Sequence, residues 1–359
     1  MLSIEFAPVP QYFRHNIFAM TGYVPGEQPG GDGVIKLNTN ENPYGPSPKV
    51  YATLKRAVNS SLRLYPEPQS DTLRAAAAQV YGVNLGNIIV GNGSDEILSM
   101  LLRCFVRPGE RVAYPVPTYS LYDTLVEIED GSRAAVNYPA DFSLPAELAE
   151  QNAALTFVCN PNAPSGTLVG LPAIEKLARS VSGILAVDEA YVDFAATEGA
   201  SAIPLIYQVP NLVVLRTFSK SFSLAGMRIG MAFAAEEIIA GMMKVKDSYN
   251  VNRLSLLAAT AALEDLPWMT RNAQRIQRSR KNLTAGLERL GYQVYPSQAN
   301  FVLARKDGEN LRRVYQELKG RKIFVRYFDL PGLQECLRIT VGTPSEIKIL
   351  LKEMAILSQ

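Results

Sequence analysis

The sequence predicts an α/β protein: a large domain built on a mostly parallel sheet between helices, followed by a smaller α+β domain. Three observations carry this. Short Val/Ile/Leu-rich runs alternate with helical segments from about residue 87 to 247. The last ~70 residues instead read as strands following strands with few helices between. A chain of 359 residues is also long enough for one large and one small domain.

In chain order, residues 1–48 read as an arm that also contributes to the small domain. VPGEQPGGDG (24–33) and LNTNENPYGPSP (37–48) are turn chemistry. A helix follows Pro48, and DTLRAAAAQVYG (71–82) is another, with Asp71 as N-cap and Gly82 past its end. Strands are expected at 87–90, 111–115, 155–160, 184–189, 211–217 and 228–234, with helices at 94–106, 119–128, 171–181 and 236–247. A helical region over 252–290 is interrupted by Pro267, and the domain boundary falls inside it, giving a large domain over 49–270 and a small one over 271–359. The small domain reads as two strands in 290–305, a helix at 309–319, the strands KIFVRYF (322–328) and CLRITVG (336–342), and a last helix at 344–357.

Composition narrows the function. The net charge of +2 gives no support to a nucleic-acid or membrane-surface role. No apolar run approaches the ~18 residues of a spanning helix, and MLSIEFAPVPQYFRHN (1–16) lacks the pattern of a signal peptide. Three scattered cysteines make neither a disulfide framework nor a zinc site, so no metal is expected and a cytoplasmic setting fits. The single histidine, His15, lies on the arm, so acid/base chemistry falls to another residue type.

Four motifs sit at strand ends, where ligands bind on such sheets. VGNGSDEIL (90–98) turns from strand to helix at Ser94 and Asp95 and offers free N–H groups to an anion. Read plainly, it is an ordinary corner. ILAVDEAYVDF (184–194) puts Asp188 at the tip of a buried strand, where it needs either a cation or a capping role, with Tyr191 three residues on. TFSKSFSLAGMRIG (217–230) carries Thr217, Ser219, Lys220 and Arg228. The hydroxyls and the arginine suit a phosphate, and the lysine is either a snorkelling charge or an activated amine. YPVPTYSLY (114–122) places Tyr119 to stack on a flat ring or to pack in the core. Together, a phosphate cradle, a strand-tip aspartate, a stacking aromatic and an amine are the parts that hold pyridoxal phosphate.

With these motifs the chain resembles the class II aminotransferases of fold type I. Within that class, LNTNENPYGPSP, LRLYPEP (62–68), GNGSDEIL and VRYF…LRITVGT resemble the histidinol-phosphate aminotransferases. The resemblance implies a seven-stranded sheet in the large domain and pyridoxal 5'-phosphate on Lys220. Asp188 would then meet the pyridine nitrogen and Tyr191 the phenolic oxygen. The Ser94 and Asp95 amides, Thr217, Ser219 and Arg228 would surround the phosphate, and Tyr119 would stack on the ring. Tyr65 would enter the neighbouring subunit's site in a homodimer. Tyr23 and Asn42 would line the substrate pocket, and Arg338 and Arg326 would take anionic groups. It implies amino transfer from L-histidinol phosphate to 2-oxoglutarate in histidine biosynthesis. Related proteins act on aromatic amino acids or decarboxylate threonine phosphate, and a non-catalytic binding protein would lose the lysine first. One position departs from the family pattern. NPNAPSG (160–166) has Ala163 where an asparagine is usual, so Asn160, Asn162 or Tyr191 alone would serve the phenolic oxygen.

Overall fold

The structure is a computed structural model that describes residues 12–357. The reading of the extreme N-terminus therefore lies mostly outside the described residues. The arm carries a short helix α1 (His15–Ala19) and a strand β1 (Ile35–Lys36), followed by α2 (Pro48–Ala57) and α3 (Asp71–Tyr81). The central sheet comprises β2 (Ile88–Gly91), β3 (Arg111–Val116), β4 (Ser132–Asn137), β5 (Leu155–Cys159), β6 (Ile184–Asp188), β7 (Leu212–Thr217) and β8 (Gly230–Ala234). Its order is β2-β8-β7-β6-β5-β3-β4. β8 runs antiparallel to both neighbours and the other pairs are parallel.

Helices cover both faces, so β5 and β7 are buried along their whole length and read as continuous apolar runs. One face packs on α2, α3, α6 (Leu171–Ser180) and α8 (Arg253–Leu263). The other packs on α4 (Ser94–Phe105), α5 (Leu121–Ile128) and α7 (Glu236–Met243). The seventh strand, β4, was not legible in the sequence. It is an edge strand whose residues alternate between half-buried and exposed, so it lacks an apolar run.

The helical region splits into α8 and α9 (Leu266–Arg289), with Pro267 in the first turn of α9, where its missing N–H leaves no bond unmade. Met269 touches both the large-domain core and a second core built by α9, β9 (Gln293–Val294), β10 (Phe301–Arg305), α10 (Arg312–Gly320), β11 (Ile323–Phe324), β12 (Arg326–Tyr327), β13 (Cys336–Thr340) and α11 (Pro344–Leu357). Two expectations are corrected. KIFVRYF is not one strand but two: β11 pairs in parallel with β1, while β12 joins the antiparallel sheet β12-β13-β10-β9. Asp71 is not the N-cap of α3 but its first residue, paired with Arg74; Ser70 caps at φ 56°. Among the described residues no helix is long and apolar enough to cross a membrane.

Candidate active site

The carboxyl ends of β3, β5, β6 and β7 open into a cavity of about 430 Å³ that is closed on its far side by the arm and the small domain. Lys220 belongs to it. Its neighbours Phe218, Phe222 and Leu224 are buried in the large-domain core, at about 1.5–3 kcal/mol for each such side chain. They anchor the loop from below and leave the lysine facing the cavity. Its Nζ donates to the Thr39 carbonyl at 3.1 Å. Burial, helped by the charge of Arg338, pulls the amine down to about 8, against the pull of Glu41 and Asp95.

Asp188 is buried at the tip of β6. Desolvation pushes its carboxyl up to about 6, although Tyr122 Oη (3.1 Å) and the Ala190 amide (3.1 Å) both donate to it. A buried carboxylate held by two neutral donors is suited to a third, cationic one.

The anion cradle is at the start of α4. Gly93 caps it at φ 85°, a conformation that favours glycine. A Cβ there would stand 2.6 Å from the Arg228 guanidinium, and one on Gly230 would stand 2.5 Å from the Ser94 amide. The two glycines thus keep open the space onto which the Ser94 and Asp95 amides, Ser219 and Arg228 converge. Arg228 donates to Ser219 at 3.3 Å and to the Asp95 carboxylate at 3.1 Å. Thr217 receives the Ser219 amide at 3.1 Å and shapes the turn. Tyr119 lines the wall beside Tyr23, edge to face at 6.2 Å, with its hydroxyl 3.3 Å from Asp95.

Arg326 and Arg338 stand directly opposite each other across the β12–β13 ladder, and both line the cavity. Like charges in that register are unfavourable without an anion between them. Among the described residues neither has a carboxylate partner. Arg338 donates to the Asn38 carbonyl at 2.8 Å, and its buried Nε is unbonded.

Several residues stand elsewhere than expected. The Asn160 amide exchanges both its bonds with the Val169 backbone, and Asn162 is spent on Pro117, Thr118 and Ser165. Neither is among the residues lining the cavity, whereas Ala163 is. Asn40 does line it: its Nδ2 donates to the Tyr191 hydroxyl at 3.1 Å, and its backbone is held at φ 59° by Thr340 and Asn300. Asn42 does not line the cavity; it donates to the Lys220 and Ser221 carbonyls at 3.1 and 3.2 Å and so ties the arm to the lysine loop. Tyr65, expected in a neighbouring subunit's site rather than this one, is 78% exposed, stacked on Tyr249 at 4.5 Å and not among the residues lining this chain's cavity. Tyr122, Asn40 and Thr39 were missed by sequence reasoning. The first looks like a core tyrosine, and the other two lie in a turn-rich arm whose partners are some 150 to 180 residues away.

The residues fit a phosphorylated pyridine aldehyde. The cradle suits the phosphate, Asp188 a ring N–H, the Asn40–Tyr191 pair a phenolic oxygen, and Lys220 a carbonyl carbon. Comparison with known proteins agrees in kind. The model of the family "Aminotransferase class I and II" matches residues 32–354. Histidinol-phosphate aminotransferase 1 of Nostoc is 45% identical over 345 residues, which is 96% of this chain and 97% of the relative. Histidinol-phosphate aminotransferase of Citrifermentans bemidjiense is 45% identical over 343 residues, covering 95% and 97%. Among solved structures, histidinol-phosphate aminotransferase of Sinorhizobium meliloti in complex with pyridoxal-5'-phosphate superposes with a TM-score of 0.90 at 26% identity, covering 97% of both chains. The chain therefore belongs to the class I and II aminotransferase family, and within it to the histidinol-phosphate aminotransferases.

Proposed function

We propose that the protein is a pyridoxal-phosphate-dependent aminotransferase that moves the amino group of L-histidinol phosphate to 2-oxoglutarate, in histidine biosynthesis. The observation that carries this is the opposed pair Arg326 and Arg338 at the wall of a cavity that also holds Lys220 and Asp188. Two guanidiniums suit a phosphate monoester in one half-reaction and the carboxylates of a dicarboxylic acid in the other.

The Ser94 and Asp95 amides, Ser219 and Arg228 would hold the cofactor's phosphate. Asp188 would hold its ring nitrogen, Asn40 and Tyr191 its phenolic oxygen, and Tyr119 one ring face. Bound there, the cofactor supplies an electron sink for the charge left when a proton leaves the substrate's Cα. Lys220, whose cofactor-free amine titrates near 8, would take that proton from Cα and deliver it to the cofactor's aldehyde carbon, and would make the same transfer in reverse in the second half-reaction. Asp188, ionised when a cation meets it, keeps the ring nitrogen protonated. Arg338 and Arg326 would orient the substrate by its anionic end, and Tyr23 would line its pocket. Tyr65, exposed and remote from this cavity, would complete the site of a second subunit in a homodimer. The enzyme would work in the cytoplasm.

The test compares kcat/KM for histidinol phosphate and for phenylalanine, each with 2-oxoglutarate. A preference of about a hundredfold or more for the phosphate ester is expected from charge-assisted bonds to the arginines. Equal values would refute the substrate, and release of carbon dioxide from threonine phosphate without amino transfer would refute the reaction.

A further inference from the structure

Asp188 and Lys220 approach the cavity from different strands, yet each has a chain neighbour in one buried ion cluster. Glu189 follows Asp188 and, by the alternation of a strand, turns to the opposite side of the sheet. There its carboxylate accepts from Ser201 Oγ at 2.6 Å and from the Ala202 amide at 2.6 Å, and it faces Arg216 at 3.4 Å. Arg216, near the end of β7, also pairs with Asp193 and lies over the Tyr81 ring at 5.3 Å. The other carboxylate oxygen of Asp193 accepts from the hydroxyl of Ser221, the residue after Lys220. Glu189 and Arg216 are buried, as is Ser221. The lysine loop thus hangs from β7 by the link Arg216–Asp193–Ser221, and the same guanidinium holds the end of β6 through Glu189.

We propose that Arg216 is a positioning residue for this reaction: through Asp193 and Ser221 it sets where the Lys220 amine stands relative to Asp188. The chemistry fits the part. A guanidinium is planar and always charged, so one residue can bind carboxylates from two segments at fixed angles. Buried ion clusters add little net stability but hold one geometry. A loop that must present an amine at a defined spot, without the amine itself being clamped, calls for an anchor on the adjacent residue. The inference rests on the reading of Lys220 as the amine that carries the cofactor.

The holoenzymes of Ser221→Ala, Asp193→Asn, Arg216→Lys and Arg216→Met test it, with Lys220→Ala as control. Ser221→Ala removes one hydroxyl and leaves the buried charges paired, so it keeps the fold even if Arg216→Met does not. Because a misplacement near 1 Å far from the chemistry costs up to about a hundredfold, kcat should fall about ten- to a hundredfold with KM for histidinol phosphate little changed. The pH midpoint of the cofactor's visible band should move as the surroundings of the Lys220 nitrogen change. The double variant Ser221→Ala/Asp193→Asn should be no worse than Asp193→Asn alone, since both cut one link. Arg216→Lys should recover part of what Arg216→Met loses. Variants that lower Tm but leave kcat and the band midpoint unmoved, or effects that add in the double variant, would overturn the proposal. Cofactor that stays covalently attached to Lys220→Ala after borohydride reduction would overturn the underlying reading instead, whereas loss of that attachment in Lys220→Ala beside an unmoved Ser221→Ala would overturn the proposal alone.

Discussion

Arg326→Ala separates substrate recognition from stability, and the structure sets both magnitudes. Arg326 faces Arg338 in register across an antiparallel pair, a repulsion of about 0.2–1 kcal/mol in the ligand-free protein. It also lies over the Phe328 ring at 5.5 Å, an attraction of about 0.5–1 kcal/mol at such a partly open place. The two nearly cancel. For a chain of 359 residues, the unfolding entropy converts 1 kcal/mol to roughly 1 °C, so the ligand-free Tm should change by no more than about 1 °C. Binding does not cancel. A charge-assisted bond to the substrate's anion is worth about 1.5–3 kcal/mol, so kcat/KM for histidinol phosphate should fall about 10- to 150-fold. Phenylalanine, with no distal anion, should lose little. The assay is steady-state kinetics with both donors, beside thermal melts in phosphate-free buffer. Equal losses for both donors, or a melt lowered by many degrees, would refute a distal-anion role for Arg326.

Three further outcomes follow from the site. Lys220 has a folded-state pKa of about 8, below its ordinary value near 10.5, so the unfolded chain binds more protons between those values. The cofactor-free protein should therefore gain stability as pH rises from about 8 to 10.5, and Lys220→Met should abolish that gain; capture of the cofactor should rise with pH with a midpoint near 8 and a plateau above about 9, and a midpoint near 10 would contradict this. Asp188 is raised to about 6 by burial, so its contribution is fully present below its unfolded value of 3.8 and is lost as pH rises through 6. Asp188→Asn should leave the cofactor-free protein at least as stable at pH 8 while cutting turnover by about a hundredfold or more, since breaking a buried charged pair costs about 3–5 kcal/mol; unchanged turnover would remove Asp188 from the mechanism. Finally, Tyr65→Ala and Lys220→Ala proteins should each be poorly active and should recover activity when refolded together, because in the proposed homodimer a hybrid would have one intact site; no recovery would refute a site shared between subunits.

The alternation of buried strands and helices was legible because a sheet covered on both faces needs apolar residues at every position. β5, β6 and β7 could be read for that reason, and β4, half exposed at the edge, could not. Lys220, Asp188 and Arg228, which the structure brings to one cavity, were legible as candidates for a related reason. Each is a charged group next to a run that buries its neighbours, and that contrast is local in sequence.

The sequence by itself determined the chemistry at each strand end and, through GNGSDE and SKSFSLAGMR, what kind of ligand the strand ends could hold. Only the tertiary structure decided that Asn40, rather than Asn160 or Asn162, lines the cavity and bonds to Tyr191. It alone split KIFVRYF so that Arg326 faces Arg338, and it joined Glu189, Asp193, Arg216 and Ser221 into one cluster behind the lysine. The physical reason is distance along the chain. A strand's burial is encoded in adjacent residues, but a hydrogen bond spanning 151 residues depends on how the arm, the sheet and the small domain meet, and no local pattern carries that.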